Sequence, residues 1–506
     1  MEGSLNICLI NTYDIVGGAA KAAYRLHKGL MLRNNNSVMV VRKKKSQDTN
    51  VLALDIISDG DKAEEEIFSA IQKQLINQNR TDISDTLFSL PYPGYDLSNT
   101  NLIRSADVIN LHWVNYFQSV ESIASLLSLH KPVVWTLHDQ WAFTGGCHYS
   151  AGCEKYTQQC EQCPQLLDDS SRLPELVLKN KLNYFDSSLV IVSPSSWLAK
   201  CARKSTVFKN CRIEVIPNGL DINTFKPTAK VQAKRDLSIN PETTTILFGA
   251  ISHTKKRKGF QQLCKAFDFC RKNEKFAELI RRGKVRIITF GTADSPMRQV
   301  GIPAVSLGHI DSDEKLAVVY SAADFLVLPS LEENLPNIMI ECLSCGTPVI
   351  AFETGGMPDA IKHGKTGYLT TAFQSDEFGK YILDMTFKPQ IRQKMSLAAR
   401  DLVEKDYSLE VQVDRYLELF DELCENYNKL RKNSSLTEYK EFSASLSYVH
   451  PLFFTVYRKF SAELLHKKNK KLNSVFSSFV VQIIFRIYRF IKRSVGRVNQ
   501  LIRGEL

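Results

Sequence analysis

The chain has 506 residues, of which 44% are hydrophobic and 24% charged, a composition typical of globular rather than disordered proteins. This length exceeds what one hydrophobic core normally serves, so we expect two large domains with appended segments. The formal net charge of +11 is uneven, because residues 466–506 carry ten lysines and arginines against one acid, Glu505. The rest of the chain is nearly neutral, which argues against a protein that binds nucleic acid.

We expect neither export of the protein nor a membrane-spanning helix. No uninterrupted apolar run reaches the about 18 residues that a spanning helix requires, and residues 1–7 lack the basic and apolar regions of a secretory leader. The twelve cysteines are scattered along a large chain, which suits a reducing compartment better than a disulfide framework. We therefore expect a cytoplasmic protein.

Short apolar runs separated by helical patterns or long loops predict a doubly wound α/β sheet in the first half of the chain. The first strand is predicted at residues 5–10, and Gly17 and Gly18 follow it at the start of a helix. The other strands are predicted at residues 37–41, 107–111, 133–137, 189–192 and 213–216. Turn residues follow the last of these, so we place the first domain at residues 1–217.

A second alternating series predicts another α/β domain at residues 218–405. Its strands are predicted at residues 245–248, 285–290, 304–307, 324–328 and 348–351. A helical segment at 406–432 and a basic helical tail at 433–506 complete the chain. The predicted architecture is therefore two doubly wound, Rossmann-like domains that face each other across a cleft, with a C-terminal helical extension.

Two glutamates eight residues apart mark the most informative part of the second domain. Glu333 lies in the loop between the strand at 324–328 and a helix, where open α/β sheets bind ligands. Glu341 lies inside that helix among apolar residues, and a buried carboxylate needs hydrogen-bond partners. Hydroxyl groups of a sugar or ribose would supply them, and the free N–H groups of the helix start near Pro336 would suit a phosphate.

The residues that follow extend this pattern. After Glu-x7-Glu come Cys-Gly-Thr-Pro-Val-Ile-Ala at residues 345–351 and Gly-Gly-Met-Pro-Asp at residues 355–359. This order resembles the donor-site signature of family 4 retaining glycosyltransferases of the GT-B fold, of the bacterial surface-polysaccharide type. The resemblance implies that the second domain holds a nucleotide-sugar donor, that the acceptor faces the first domain, and that residues 406–432 cross back to the first domain.

The resemblance also implies roles for single residues. Glu341 would bind the donor ribose, Glu333 would orient the transferred sugar, and the helix start at Leu335 and Pro336 would help bind the diphosphate. Gly17 and Gly18 alone indicate only a turn, since they match neither the phosphate-loop nor the dinucleotide-binding pattern. In the resembled family this loop lies in the cleft beside the donor phosphate, so we assign both glycines to donor binding.

His138 directly follows the predicted strand at residues 133–137. A histidine at the carboxyl end of a strand points into the cleft unless it is a packed structural residue. Its Thr-Leu-His-Asp context resembles the family's active-site histidine, which contacts the transferred sugar, so we assign His138 to the catalytic site. His112 follows another predicted strand and is more typical of a histidine that packs in the protein interior.

A basic loop at residues 249–260 joins a strand to a helix in the second domain. A run of basic residues usually lies on the surface in contact with water and has no further role. Cations at the end of a strand, however, would neutralise a leaving diphosphate. Lys258-Gly259 resembles the family's diphosphate clamp, so we assign Lys258 to catalysis. The family pattern has Arg where this chain has Ala250, and we assign Arg257 to donor binding as a candidate for the missing cation.

Four cysteines lie close together in a glycine-containing loop at residues 145–165: Cys147, Cys153, Cys160 and Cys163. One C-x2-C pair with two looser partners can form a tetrahedral zinc site, and free or redox-active thiols are the alternative. We predict a structural zinc ion, and no cofactor that catalysis requires. Cys342 and Cys345 have the same C-x2-C spacing, but they belong to the donor-site helix and are expected in the core.

Residues 475–497 have a helical pattern with an apolar stripe and a second face of arginines. This pattern is typical of a helix that lies on an anionic membrane surface. A helix packed on the protein body or on a partner is the alternative.

Together these features predict a retaining glycosyltransferase, peripheral on the inner face of the cell membrane. Its partners would be a nucleotide-sugar donor and a glycan or lipid-linked oligosaccharide acceptor. One alternative is a nucleotide-sugar epimerase of the same fold. The other is a catalytically silent sugar-nucleotide binder or membrane adaptor, which Ala250 in place of the expected Arg would explain.

Overall fold

A computed structural model of the protein describes residues 4–54, 65–66, 68–249, 256–291 and 297–433. Two sheets lie in one compact unit, which comprises the described residues up to 167 and from 173 to 431. All neighbouring strands in both sheets are parallel. Helices connect most successive strands, as is usual in a parallel sheet, whereas a short loop at residues 44–50 joins β2 to β3.

The first sheet has seven strands in the order β3-β2-β1-β4-β5-β6-β7. The strand order reverses between β1 and β4, and open α/β sheets bind ligands at the carboxyl ends of the strands beside such a point. The strands are β1 (Asn6–Tyr13), β2 (Asn36–Lys43), β3 (Val51–Ala53), β4 (Val108–Leu111), β5 (Val133–Thr136), β6 (Val190–Ser193) and β7 (Arg212–Val215).

The second sheet has six strands in the order β10-β9-β8-β11-β12-β13, with its reversal between β8 and β11. Its central strands β11 and β12 are apolar and buried at every position, as expected for strands covered on both faces. The strands are β8 (Thr244–Leu247), β9 (Val285–Thr289), β10 (Ala304–Ser306), β11 (Phe325–Leu328), β12 (Val349–Phe352) and β13 (Gly367–Thr370).

The helices fall into three groups along the chain. Those of the first domain are α1 (Gly18–Leu32), α2 (Asn101–Ser105), α3 (Val120–Leu127), α4 (Leu173–Tyr184) and α5 (Ser196–Lys204). Those of the second are α6 (Lys230–Asp236), α7 (Phe260–Arg271), α8 (Glu274–Arg281), α9 (Asp313–Ala322), α10 (Asn337–Ser344), α11 (Met357–Ala360), α12 (Ser375–Phe387) and α13 (Pro389–Asp406). The last is α14 (Leu409–Asn433).

Helix α14 follows the second domain in sequence but packs on the first. Its residues Val413, Tyr416 and Phe420 belong to the same buried cluster as Ile7 and Leu9 of β1. Burial of such a stripe is the main stabilising contribution of an amphipathic helix. The Tyr416 hydroxyl also forms a hydrogen bond of 2.8 Å with Thr136 Oγ1 at the end of β5.

The predicted fold class is confirmed, while two edge strands were missed. β3 has only three residues, and β13 begins at a glycine and lacks a continuous apolar run. Such strands form because a neighbouring strand is available for pairing, so the local sequence does not reveal them. Residues 434–506, which include the predicted membrane helix, lie outside the described residues. Within the described part of the chain, no helix is both long enough and apolar enough to span a membrane.

Candidate active site

The Gly-Gly-Met-Pro-Asp segment at residues 355–359 packs against the backbone of the loop that carries Glu333. Gly355 has a φ of +55°, and a Cβ atom there would lie 1.7 Å from the Glu333 carbonyl oxygen. Gly356 N–H donates to the same carbonyl at 3.1 Å. The glycine pair therefore supports the backbone at Glu333 directly, which is a physical reason for glycine at this position.

Replacing Gly355 with alanine should lower the free energy of unfolding by about 3 kcal/mol, since a left-handed backbone costs about 1–2 kcal/mol and steric overlap adds about as much again. Gly364→Ala is the matched control, because its φ is +75° but nothing lies within 4 Å of the added Cβ. We expect the control to lose only about 1 kcal/mol in denaturant unfolding. Equal losses would show that the Glu333 backbone does not need this glycine.

Glu333 lies in a cluster with two cations of its own domain. Its side chain is buried, with 7% of the residue exposed. Arg257 Nη1 donates to Oε2 at 2.8 Å, and Lys258 Nζ donates to the same oxygen. Burial opposes ionisation, but Lys258 and Arg257 outweigh it and hold the pKa of Glu333 at about 2. The carboxylate is therefore charged at neutral pH and accepts hydrogen bonds only.

The first domain supplies a third partner of Glu333. The Tyr149 hydroxyl donates to Glu333 Oε1 at 3.0 Å, and the Arg257 guanidinium lies 4.2 Å from the centre of the Tyr149 ring. The neighbouring Glu332 accepts from Ser150 Oγ at 3.3 Å and from Ala151 N–H at 3.0 Å. The loop after β5 thus reaches across to the loop after β11, and the carboxyl ends of both sheets face this point.

His138 lies at the end of a hydrogen-bonded chain that fixes its tautomer. Asn110 donates through Nδ2 to Val134 O and Thr136 Oγ1, so its Oδ1 accepts from His112 Nε2 at 2.9 Å. His112 Nδ1 must then accept from His138 Nε2–H at 3.1 Å. This assignment leaves His138 Nδ1 as an acceptor.

His138 is neutral at neutral pH. Burial lowers its pKa to about 4, against the opposing effect of Asp139. Its carbonyl oxygen accepts from Asn334 Nδ2 at 3.2 Å, which ties His138 to the residue after Glu333. Buried His112 packs, as the sequence indicates, and it also orients His138, which the sequence does not reveal.

Glu341 is held by a different set of partners. It is 5% exposed, and its Oε2 accepts from the Tyr320 hydroxyl at 2.8 Å. Its Oε1 accepts from Arg25 Nη2 of helix α1 at 2.8 Å. Arg25 also donates to Asp313, and Lys21 forms a second ion pair with Asp313 at 3.2 Å. A carboxylate predicted to bind ribose is therefore engaged by a cation of the first domain.

The remaining residues that we predicted to bind the donor lie near the start of α10. Gly17 precedes α1 with a φ of +93°, and the Gly18 carbonyl accepts from Asn337 Nδ2 at 3.1 Å. Pro336 immediately precedes α10 rather than lying in its first turn. The Leu335 side chain belongs to the core of the second domain, so only its backbone is available to a ligand. Ala250 lies outside the described residues.

The four loop cysteines come together in one place, next to the segment that contacts Glu332. All four line one cavity of about 20 Å³, and none of the four forms a disulfide. Among the residues that the structure describes, no three His, Cys, Asp or Glu side chains are already set at metal-binding positions. Cys342 and Cys345 are buried in the core cluster of the second domain.

The structure therefore brings together some predicted residues and separates others. Glu333, Lys258 and Arg257 form one cluster with His138 close by, whereas Glu341 lies in a second cluster with Arg25. Sequence reasoning missed Tyr149 and Arg25. Lys21 and Arg25 are four residues apart on the helix that follows the glycine loop, so their common face toward the cleft was a usable signal.

Two family models match consecutive parts of the chain. Residues 16–224 match the model described as Glycosyltransferase Family 4, and residues 232–402 match the one described as Glycosyl transferases group 1. The chain belongs to glycosyltransferase family 4. The first match ends at residue 224, after strand β7, and the second begins at residue 232, within helix α6.

Two relatives in this family illustrate the extent of the similarity. A protein named as the colanic acid biosynthesis glycosyl transferase WcaC of Escherichia coli strain K12 is 28% identical over 300 residues, or 56% of this chain and 67% of that protein. A D-inositol 3-phosphate glycosyltransferase of Pseudarthrobacter chlorophenolicus is 31% identical over 195 residues, or 37% of this chain and 45% of that protein. The chain thus spans about half to two thirds of the length of these relatives.

Solved structures of the same fold cover most of the chain. Sucrose-phosphate synthase of Thermosynechococcus elongatus aligns with a TM-score of 0.58 at 18% identity, over 83% of this chain and 99% of that one. Anabaena Alr3699/HepE in complex with UDP-glucose aligns with a TM-score of 0.55 at 15% identity, over 83% and 100%. At these identities the likeness establishes the GT-B fold of this glycosyltransferase.

Proposed function

We propose that this glycosyltransferase transfers a sugar from a nucleotide-diphosphate-sugar donor to a glycan or lipid-linked acceptor, with retention of anomeric configuration. The observation that carries the proposal is the cluster at Glu333, where Lys258, Arg257 and Tyr149 converge at the carboxyl ends of both sheets. Lys258 and Arg257 therefore bring two cations to one point, beside the carboxylates of Glu333, Glu332 and Asp85. A diphosphate is a ligand that two adjacent cations suit.

In the proposed reaction, the bond between the anomeric carbon and the diphosphate oxygen breaks while the acceptor oxygen bonds to the same face of the sugar. The acceptor's hydroxyl proton passes to the leaving diphosphate. Lys258 and Arg257 stabilise the negative charge that develops there, a contribution typically among the largest in enzyme catalysis. Because side chains supply these cations, we propose that catalysis requires no metal ion.

Two further residues would position the transferred sugar. Ionised Glu333 offers only acceptor oxygens, so its role is to accept hydroxyl hydrogen bonds. Neutral His138 offers Nδ1 as an acceptor for a sugar hydroxyl. In the second cluster, Glu341 would accept the ribose hydroxyls beside Tyr320.

The biological setting we propose is the assembly of a cell-surface polysaccharide at the inner face of the cell membrane. The name of the WcaC relative, which refers to colanic acid biosynthesis, supports the pathway class. The excess of basic residues between 466 and 506 supports attraction to an anionic surface. A membrane position would bring the cytoplasmic enzyme to a lipid-linked acceptor.

The test is a screen of nucleotide sugars with glycan and lipid-linked acceptors, without added metal ion, in which release of nucleoside diphosphate is measured. We expect release to depend on acceptor, and NMR of the product to show the donor's anomeric configuration. An inverted product would contradict retention. A changed sugar without acceptor would identify an epimerase, and binding of donors without turnover would identify a silent binder.

A further inference from the structure

The loop at residues 145–165, called the cysteine loop from here on, connects the end of β5 to α4. Its four cysteines all line one cavity of about 20 Å³, which is large enough for one water-sized particle. Two residues near the end of this loop, Cys160 and Gln162, have left-handed backbones, with φ values of +55° and +49°. The chain therefore turns tightly beside the cavity that the four cysteines line.

Among the described residues, two basic side chains beside this cavity form no ion pair with a carboxylate. Lys181 is fully buried, and its ammonium donates to the carbonyl oxygens of Trp141 and Thr144, the latter at 2.9 Å. Partly buried Arg80 donates to Ser84 Oγ and Thr86 O. All these partners are neutral, yet lysine is almost never fully buried unless it is paired with an anion.

The nearby carboxylates, Asp139 and Asp85, act electrostatically on Lys181 and Arg80 without forming an ion pair, and both accept hydrogen bonds from other groups. Asp139 accepts from His148 at 2.6 Å and from the Trp113 and Trp141 nitrogens. Asp85 accepts from the backbone N–H of Arg257 at 2.7 Å. Cys147 interacts electrostatically with both cations, Cys160 with Lys181, and Cys163 with Arg80. Negative charge on the sulfur atoms would therefore complete both pairs.

We propose that the cysteine loop binds one zinc ion through Cys147, Cys153, Cys160 and Cys163, and that this metal positions Tyr149 against Glu333. Binding converts four thiols and Zn²⁺ into a tetrathiolate complex of charge −2 and releases four protons. Lys181 and Arg80 balance that charge. The sulfur atoms are not yet at coordinating positions, so binding draws them inward around the cavity, toward the usual Zn–S distance of about 2.3 Å.

The metal would control the part of the loop that reaches the other domain. Tyr149, Ser150 and Ala151 lie between the first two cysteines, and all three donate to Glu332 or Glu333. Gln165, two residues after the last cysteine, donates through Nε2 to the Tyr149 carbonyl at 2.8 Å. Both ends of the tetrathiolate set therefore connect to Tyr149, a positioning residue for the carboxylate that the proposed function places at the sugar.

The first experiment is metal analysis of the full chain purified without chelator. We expect about one zinc ion per chain, and a thiolate-to-metal charge-transfer band after replacement by Co²⁺. The double variant Cys160→Ser/Cys163→Ser should lose at least about nine tenths of the zinc. Cys211→Ser and Cys424→Ser are matched controls, because both cysteines are partly buried and lie outside the loop, and they should keep the zinc.

Should the double variant fail to fold, thiol titration of the wild-type chain keeps the proposal falsifiable. Four thiols should be protected from alkylation until a chelator removes the metal. Absence of zinc together with four reactive loop thiols would overturn the proposal. A mass lower by four hydrogens, which indicates two disulfides, would also overturn it.

The link to the active site rests on the proposed function and needs a separate readout. Tyr149→Phe should keep the zinc and lower kcat about tenfold, since it removes one hydrogen bond to a charged group. Wild-type enzyme depleted of zinc should lose kcat to a similar extent without a change in donor Kd. Zinc that binds fully but whose removal leaves kcat unchanged would overturn the positioning role. Zinc content is measured even if the chain turns over no nucleotide sugar, so the two failures are distinguishable.

Discussion

Replacing Lys258 with alanine should lower kcat for sugar transfer by about 10²–10³-fold, the usual cost of removing one group that stabilises charge in a transition state. The Lys258 ammonium contacts the Glu333 carboxylate, at the point where the leaving diphosphate would gain charge. The free energy of unfolding should change less than the activation free energy of transfer, because Arg257 and Tyr149 still form hydrogen bonds with Glu333. The measurement is steady-state transfer together with donor Kd from calorimetry, which separates turnover from binding.

Lys256→Ala is the matched control for this variant. Lys256 belongs to the same short turn, but its ammonium donates to the Asp82 carbonyl at 2.7 Å instead of Glu333. We expect kcat of the control within about twofold of wild type, as for most surface substitutions. A Lys258→Ala enzyme with wild-type kcat, or equal losses in the two variants, would remove Lys258 from the reaction.

Replacing Glu341 with alanine should weaken donor binding by about 10–100-fold, because hydrogen bonds to a charged acceptor contribute about 1.5–3 kcal/mol. Tyr320 already orients the carboxylate, so a ribose would meet a fixed acceptor. Calorimetric titration with the nucleotide sugar and with the free nucleoside diphosphate should show the same loss, since both contain the ribose.

Glu404→Ala is the control for the charge change, because Glu404 is an exposed carboxylate that pairs with Arg400 on α13. It should bind the donor as wild type does. A Glu341→Ala protein that stays folded in thermal unfolding and binds donor with unchanged Kd would show that Glu341 serves only the ion pair with Arg25.

The sequence predicts those features of the site that depend on residues close together in the chain. Strands β11 and β12 are short apolar runs bounded by turn residues, so their pattern alone locates the loop with Glu333 and the helix with Glu341. Gly346, with a φ of +70°, ends that helix as expected. The motif therefore predicted both the fold class and the position of its two glutamates.

The partners of those glutamates could not be predicted in the same way, because they come from distant parts of the chain. Tyr149 is 184 residues from Glu333, and Arg25 is 316 residues from Glu341. No local pattern encodes such contacts, since they depend on how the two sheets face each other. The orienting role of His112 was missed for a similar reason, because it follows from pairing of β4 with β5.

The ion pairs of the two glutamates also bear on how a ligand would enter and leave. Glu333 is paired with Lys258 and Arg257, and Glu341 with Arg25. A nucleotide sugar carries hydroxyls that need acceptors and phosphates that need cations, so its arrival exchanges partners within an already satisfied site. The free energy of ligand binding is therefore the difference between the site paired with the ligand and the site paired with its own side chains. Re-formation of the protein's own ion pairs would help release the nucleoside diphosphate after each turnover.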